Sequence, residues 1–173
     1  MGNAASLNFR FLVPEDAEAL TVLRKEALES HPLAFGASIQ DDKSLSIDFV
    51  RASLADRQAS AILGLFEGTE LVGMVGVVRE AKLKARHKVH IWGMYITPRA
   101  RGRGAGRGLL EGAVEQARSW SGVEQIHLSV TEAAVEARRL YESAGFREWG
   151  REPRSLQWEG QVVDERHLVF DLR

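Results

Sequence analysis

No cysteine occurs among the 173 residues. Disulfides, thiolate metal sites and a cysteine nucleophile are therefore excluded. The composition fits a reducing compartment, and a cytoplasmic protein is expected. Net charge is almost absent too: 23 lysines and arginines meet 24 aspartates and glutamates, leaving −1. No global field draws the chain to nucleic acid or to an anionic membrane, so any anion must be held by a local cluster. No apolar run is long enough to span a bilayer. The N-terminus lacks the basic and apolar regions of a signal peptide. It does match the loose pattern for N-myristoylation, as Met1-Gly2-Asn3-Ala4-Ala5-Ser6. A flexible leader over residues 1–6 is the reading adopted, with one domain over residues 7–173. No repeat, low-complexity stretch or linker divides the chain.

What is present is ordinary for a globular domain. The chain is 45 % hydrophobic and 27 % charged, and it is long enough to bury a core without staples. Strands are expected over residues 9–13, 59–66, 71–79, 89–97, 126–130, 146–150 and 162–172. The turn Glu67-Gly68-Thr69-Glu70 makes the second and third a hairpin, and Gly73 and Gly76 suggest a bulge or a close backbone approach. Pro14, Glu15 and Asp16 suit the start of a helix carrying Leu20, Leu23, Ala27 and Leu28 at helical spacing. A loop over residues 32–42 and a short helix over residues 47–54 follow. Leu109, Leu110, Ala113, Val114 and Ala117 mark a third helix. Thr131 is placed to cap a fourth over residues 132–143, closed by Gly145. The class is mixed α/β (α+β), with about seven strands inferred from the pattern and about four helices.

The most distinctive segment is Arg101-Gly102-Arg103-Gly104-Ala105-Gly106-Arg107-Gly108, where a strand ends, glycines alternate and a helix begins. Glycines let the backbone turn tightly and approach a ligand. The first amides of a helix have no internal partner and lie at its positive end. Together these make a seat for a phosphate or pyrophosphate, to which arginines add charge and forked donors. Gly106 and Gly108 are poor helix formers, at a cost of about 1 kcal/mol each, which suggests close approach. A Walker loop is excluded because no lysine is present. A dinucleotide fingerprint is excluded because Arg107 stands where its third glycine belongs. A nucleic-acid patch lacks the aromatic interleaving and positive charge of such binders. A solvated arginine turn is the remaining bland reading.

The turn resembles motif A of the GCN5-related N-acetyltransferase (GNAT) superfamily, Gln/Arg-x-x-Gly-x-Gly/Ala, here Arg101-x-x-Gly104-x-Gly106. Met94-Tyr95-Ile96-Thr97-Pro98 is similar to the strand entering that motif. Leu128-Ser129-Val130, Ala137 and Leu140-Tyr141-Glu142-Ser143-Ala144-Gly145-Phe146 resemble the family's second half. The likeness covers roughly residues 7–172. It implies a single bent mixed sheet whose two central parallel strands splay apart to admit acetyl-CoA as cosubstrate. It also implies that Met94, Tyr95 and Ile96 meet the pantetheine arm through their backbone. Arg101, Gly102, Arg103, Gly104, Ala105, Gly106 and Arg107 would hold the pyrophosphate. One departure stands out: Ala134 replaces the family's usual asparagine, which removes one side-chain hydrogen bond to the cofactor.

Without cysteine, direct attack of an amine on the thioester is the simplest mechanism; it needs a base for the amine and a proton donor for the thiolate. The resemblance makes Tyr141 the donor, with packing as its alternative. Aligned from Pro98, His90 falls where relatives carry a glutamate base, and its titration range suits the task. An ordinary strand histidine, Glu26, a water chain or no base are the alternatives. On a regular strand His90, Trp92 and Met94 share one face. Phe35 and Trp92 are candidate walls of an acceptor pocket, or core. The stretch Asp164-Glu165-Arg166-His167 is acidic enough to meet a cationic amine but reads more simply as a solvated strand edge. No metal is expected. The expected acceptor is a primary amine of a small molecule. A protein N-terminus or lysine and a non-catalytic acyl-CoA sensor are alternatives. Neither nucleic acid nor membrane is an expected partner; homodimerisation is left open.

Overall fold

The computed structural model describes residues 6–173. The leader and the lipidation pattern therefore lie, except for Ser6, outside the described residues. Seven strands and four helices follow one another as β1 (Leu7–Phe11), α1 (Ala17–Ser30), α2 (Ile47–Leu54), β2 (Ser60–Glu67), β3 (Glu70–Arg79), β4 (Lys88–Ile96), α3 (Ala105–Ser119), β5 (Gln125–Thr131), α4 (Val135–Ser143), β6 (Arg147–Trp158) and β7 (Gln161–Asp171). The strands form one sheet in the order β1-β2-β3-β4-β5-β7-β6. Every neighbouring pair is antiparallel except β4 and β5, which run parallel.

Two apolar clusters sit on opposite faces of the sheet. Leu109, Leu110, Ala113 and Ala117 of α3 pack with Leu63, Val75, Val77, Val89 and Ile126 on one face. Leu20, Leu23 and Ala27 of α1, with Val50 and Leu54 of α2, pack on Ile62, Phe66, Met74 and Tyr95 on the other. Strands β2 and β3 are thus covered on both sides. That is why they read as continuous apolar runs rather than as alternation.

The glycines of α3 serve packing as well as the turn. A Cβ at Gly108 would lie 2.4 Å from the Phe9 ring, and one at Gly112 would lie 2.3 Å from Leu63. The close approach inferred for Gly108 is therefore to strand β1.

The first strand lies two residues earlier than expected, at Leu7–Phe11, and two further boundaries differ by more. Thr131 belongs to β5, and α4 begins at Val135 with no side-chain cap on Ala134. Strand pairing through Glu165 extends β5 to Thr131 and outcompetes the cap. Strand β6 runs twelve residues, well beyond residue 150. It is an edge strand, largely exposed, with Pro153 inside a register shift, so no buried apolar period announces it.

Candidate functional site

Strands β4 and β5 pair only at Lys88↔Gln125, Val89↔Ile126 and His90↔His127. Beyond that point β4 continues to Ile96 and β5 to Thr131 without pairing, and a cleft of about 580 Å³ opens between them. Gly93, Met94, Tyr95 and Ile96 form one wall, and Val130, Ala134, Ala137, Leu140 and Tyr141 the other. Ala134, the departure from the family pattern, thus faces the opening.

A β-bulge shapes the β4 wall. Trp92 pairs with Gly76 and Tyr95 with Met74, so Gly93 and Met94 together oppose Val75. Gly93 has φ 62°, a left-handed conformation that glycine adopts without a Cβ penalty. The extra residue reverses the alternation. Met94 and Ile96 join Val89 and Ile91 on the α3 face, while Trp92 and Tyr95 face α1. The expectation that His90, Trp92 and Met94 share one face is overturned by this bulge: Met94 points to the opposite side.

One end of the cleft is the turn after β4. A short turn of helix over Pro98–Ala100 leads through Arg101 to Gly102 at φ 73° and Gly104 at φ 74°, and Gly104 is the N-cap of α3. The first helical bond runs from the Gly108 N–H to the Gly104 carbonyl at 3.1 Å. The amides of Ala105, Gly106 and Arg107 precede it and have no partner within the helix. The first turn holds no acidic residue, and no side chain caps it. A Cβ at Gly102 or Gly104 would meet nothing within 4 Å. Bare amides, open space and an uncompensated positive helix end fit the pyrophosphate of acetyl-CoA.

The arginines are more tied down than the motif suggests. The Arg101 Nε donates to the Ile96 carbonyl at 2.9 Å, and its guanidinium lies 5.7 Å from the Tyr95 ring centre. Arg103 turns to Glu67 of β2 at 2.6 Å. Arg107 reaches Ser143 at 3.1 Å on α4. Arg101 and Arg107 line the cleft, so the main chain and these two side chains face it.

Tyr141 is buried, and its hydroxyl lies 3.5 Å from the Met94 sulfur. Burial pushes its pKa up to about 12. His90 is not on the cleft wall. Its Nε2 lies 2.9 Å from Glu80 Oε1, and its ring centre lies 5.7 Å from that of His127. By strand alternation it shares the Trp92 face. Trp92 lies across Gly76, where a Cβ would fall 2.1 Å from the indole. Phe35 lines the cleft and stacks edge-on to Tyr95 with ring centres 6.5 Å apart. The Met94/Tyr141 side and the Phe35/Trp92/His90 side thus lie on opposite faces of the sheet, meeting at the bulge. Among the described residues no group of histidines and carboxylates is arranged to hold a metal. Among the described residues no helix is long and apolar enough to cross a membrane.

Sequence reasoning missed Arg24, the Gly93 bulge and Glu80. Two signals were there: an arginine on the apolar stripe of α1, and a glycine inside a strand of β-branched and aromatic residues.

The family model for the acetyltransferase (GNAT) family matches residues 20–146. The chain belongs to that family, and it is accordingly an acyltransferase from a family that uses acetyl-CoA. A comparison with curated proteins returns no match. Solved structures share the fold. A GNAT-family acetyltransferase from Streptococcus pneumoniae is 22 % identical, covers 96 % of this chain and 100 % of its own, and has a TM-score of 0.82. A putative acetyltransferase from Salmonella typhimurium, solved with its cofactor acetyl-CoA, is 21 % identical, with 97 % and 95 % covered and a TM-score of 0.83. A ribosomal-protein-alanine N-acetyltransferase from Brucella melitensis is 23 % identical, with 95 % and 99 % covered and a TM-score of 0.82.

Proposed function

We propose that the chain moves an acetyl group from acetyl-CoA directly to a primary amine of a small molecule. The observation that carries this reading is the opening of the sheet beyond His90↔His127, with the bare α3 N-terminus at one end and the Tyr141 hydroxyl on one wall. Acetyl-CoA supplies the acetyl group as a thioester. The amides of Ala105, Gly106 and Arg107 hold its pyrophosphate. The β4 edge at Met94, Tyr95 and Ile96, unpaired with β5, offers backbone donors and acceptors to the pantetheine arm.

Tyr141 donates a hydrogen bond to the sulfur. A phenol held near 12 is a weaker acid than a thiol, whose ordinary value is about 8.5. It therefore stabilises the departing thiolate by hydrogen bonding without surrendering its proton. His90 takes the proton of the amine on the other face. Glu80 Oε1 lies 2.9 Å from its Nε2, and Nδ1 is read as the nitrogen that accepts.

The acceptor side supports a small molecule, because Phe35 and Trp92 close around it and residues 31–42 are tied to α1 through Asp42. A peptide acceptor is the second reading. It is favoured by a groove of about 570 Å³ between residues 32–41 and 155–159 that also borders Phe35, and by the acceptor named for the Brucella protein. A cytoplasmic enzyme is part of the same reading. Free-thiol release from acetyl-CoA with a panel of small amines and peptides is the test. Turnover of peptides alone would replace the small-molecule reading.

A further inference from the structure

Helix α1 buries an arginine. Leu20, Leu23, Ala27 and Leu28 form its apolar stripe, and Arg24 sits among them, only 5 % exposed. One edge of the guanidinium is paired: Nε and Nη2 both donate to Oδ2 of Asp42, at 2.8 and 2.7 Å. Asp42 is fixed in turn by the Ser44 N–H at 2.7 Å from Oδ1. The Phe35 and Trp92 ring centres lie 4.8 and 5.9 Å from the guanidinium carbon. What remains is Nη1, buried and without a hydrogen-bond partner. An arginine that only pinned Asp42 would need Nε and Nη2; leaving charged N–H groups unpaired at this depth is costly.

The direction of Nη1 tells what it is for. A Cβ built on Gly93 would lie 3.4 Å from Nη1. Gly93 is the bulge residue, and its backbone lines the cleft. The same Cβ would lie 3.3 Å from the Met74 methyl, so the missing side chain leaves a notch for a single oxygen between the guanidinium, Met74 and the bulge, on the Trp92 face where the acceptor reading places the amine. The Phe35 ring, stacked on that guanidinium, also lines the cleft. It belongs to a segment between α1 and α2 with no regular structure beyond the short turn Lys43–Leu45.

We infer that Nη1 of Arg24 receives an anionic oxygen of the acceptor, so that the acceptor is an amino carboxylate: an α-amino acid or a close analogue. One oxygen of its carboxylate enters the notch beside Gly93, and its amine is left at the bulge, facing the opening. The assignment rests on the transferase reading and adds the acceptor's chemical class. A charge-assisted bond between aromatic walls, away from water, is stronger than the same bond in solvent. A peptide N-terminus offers only a neutral carbonyl oxygen beside its amine, a weaker partner for Nη1 than a carboxylate.

The test uses the wild-type protein with the common α-amino acids, each beside its own carboxamide and its decarboxylated amine, and follows thiol release from acetyl-CoA. The acids are expected to show kcat/KM about ten- to a hundred-fold higher. A carboxamide has the less basic amine, so this preference runs against intrinsic reactivity. Equal or faster turnover of the carboxamides overturns the assignment. A second measurement needs no turnover: calorimetric titration of the same pairs into protein saturated with CoA. The acid should bind tighter in the wild type, and Arg24→Lys should lose the preference while retaining CoA binding. If Arg24→Lys does not fold, the wild-type pairs decide alone. If no amine releases thiol yet acids still bind preferentially, the transferase reading fails and the notch assignment stands. If acids bind no better than amides, the notch assignment fails.

Discussion

The Tyr141 hydroxyl meets the Met94 sulfur at 3.5 Å, linking helix α4 to strand β4 where β5 has already turned away. The contact exists because the bulge at Gly93 turns Met94 toward the α3 face. Tyr141→Phe keeps the ring against Phe146, whose centre is 6.0 Å away, and deletes only the donor. The variant should fold and bind CoA nearly as the wild type does and turn over about ten- to a thousand-fold more slowly. Unchanged turnover would make Tyr141 a packing residue; collapsed CoA binding would make it a cofactor anchor.

The chain has two tyrosines, and both are held above the ordinary phenol value. Burial raises Tyr141 to about 12. Burial also raises Tyr95, whose hydroxyl donates to Glu26 at 2.9 Å. Spectrophotometric titration should therefore show less phenolate in the folded protein at about pH 10 than the half ionisation of free tyrosine. Denatured protein at the same pH should be about half ionised. A half-titrated folded sample at that pH contradicts the burial.

Gly104→Val and Gly108→Val should fail differently. At Gly104 a Cβ meets open space, but φ is 74°. A β-branched residue there costs about 1–2 kcal/mol and crowds the amides, so CoA affinity should fall. At Gly108 the side chain runs into Phe9. Overpacking there should cost about 1–3 kcal/mol of stability with CoA affinity retained in the folded fraction. Calorimetry beside thermal melts separates the two, and an unchanged CoA affinity in Gly104→Val counts against the pyrophosphate seat.

His90→Ala should lower the rate by about two to four orders of magnitude. Glu80→Gln should cause a smaller loss in the same direction, because it leaves the ring but removes the carboxylate 2.9 Å from Nε2. A His90→Ala enzyme with the wild-type rate assigns the base elsewhere.

Acid should destabilise the fold through two histidines. Burial lowers His127, and the charges of His90, Lys88 and His87 lower it further. Burial also lowers His31, with Arg101 adding to the effect. Both sites therefore favour the neutral ring when folded. The unfolded chain takes up these protons near pH 6.5, the folded chain only at lower pH. Stability is thus full above about 6.5 and is lost as pH falls through the lower folded values. The melting temperature should be level near pH 8 and drop below about 6.5, and His127→Gln should drop less steeply. A wild-type profile level down to pH 5 contradicts this.

The sequence by itself determined the element order, the glycine turn and the family. Those are local properties: apolar spacing along α1 and α3, continuous apolar runs in β2 and β3, and alternating glycines after a strand. The turn at Gly102 and Gly104 was legible because positive φ demands a particular residue. Tertiary structure decided the rest. Which face Met94 presents depends on one extra residue opposite Val75, and a bulge is a property of a strand pair that a single strand's period does not carry. Whether Gly108 approached a ligand or Phe9 depended on where β1 lies. The free Nη1 of Arg24 became visible only once Asp42, eighteen residues away, was seen to take the other edge of the guanidinium. Pairing partners distant in sequence leave no periodic trace, so the side of the sheet on which each group acts is fixed by packing alone.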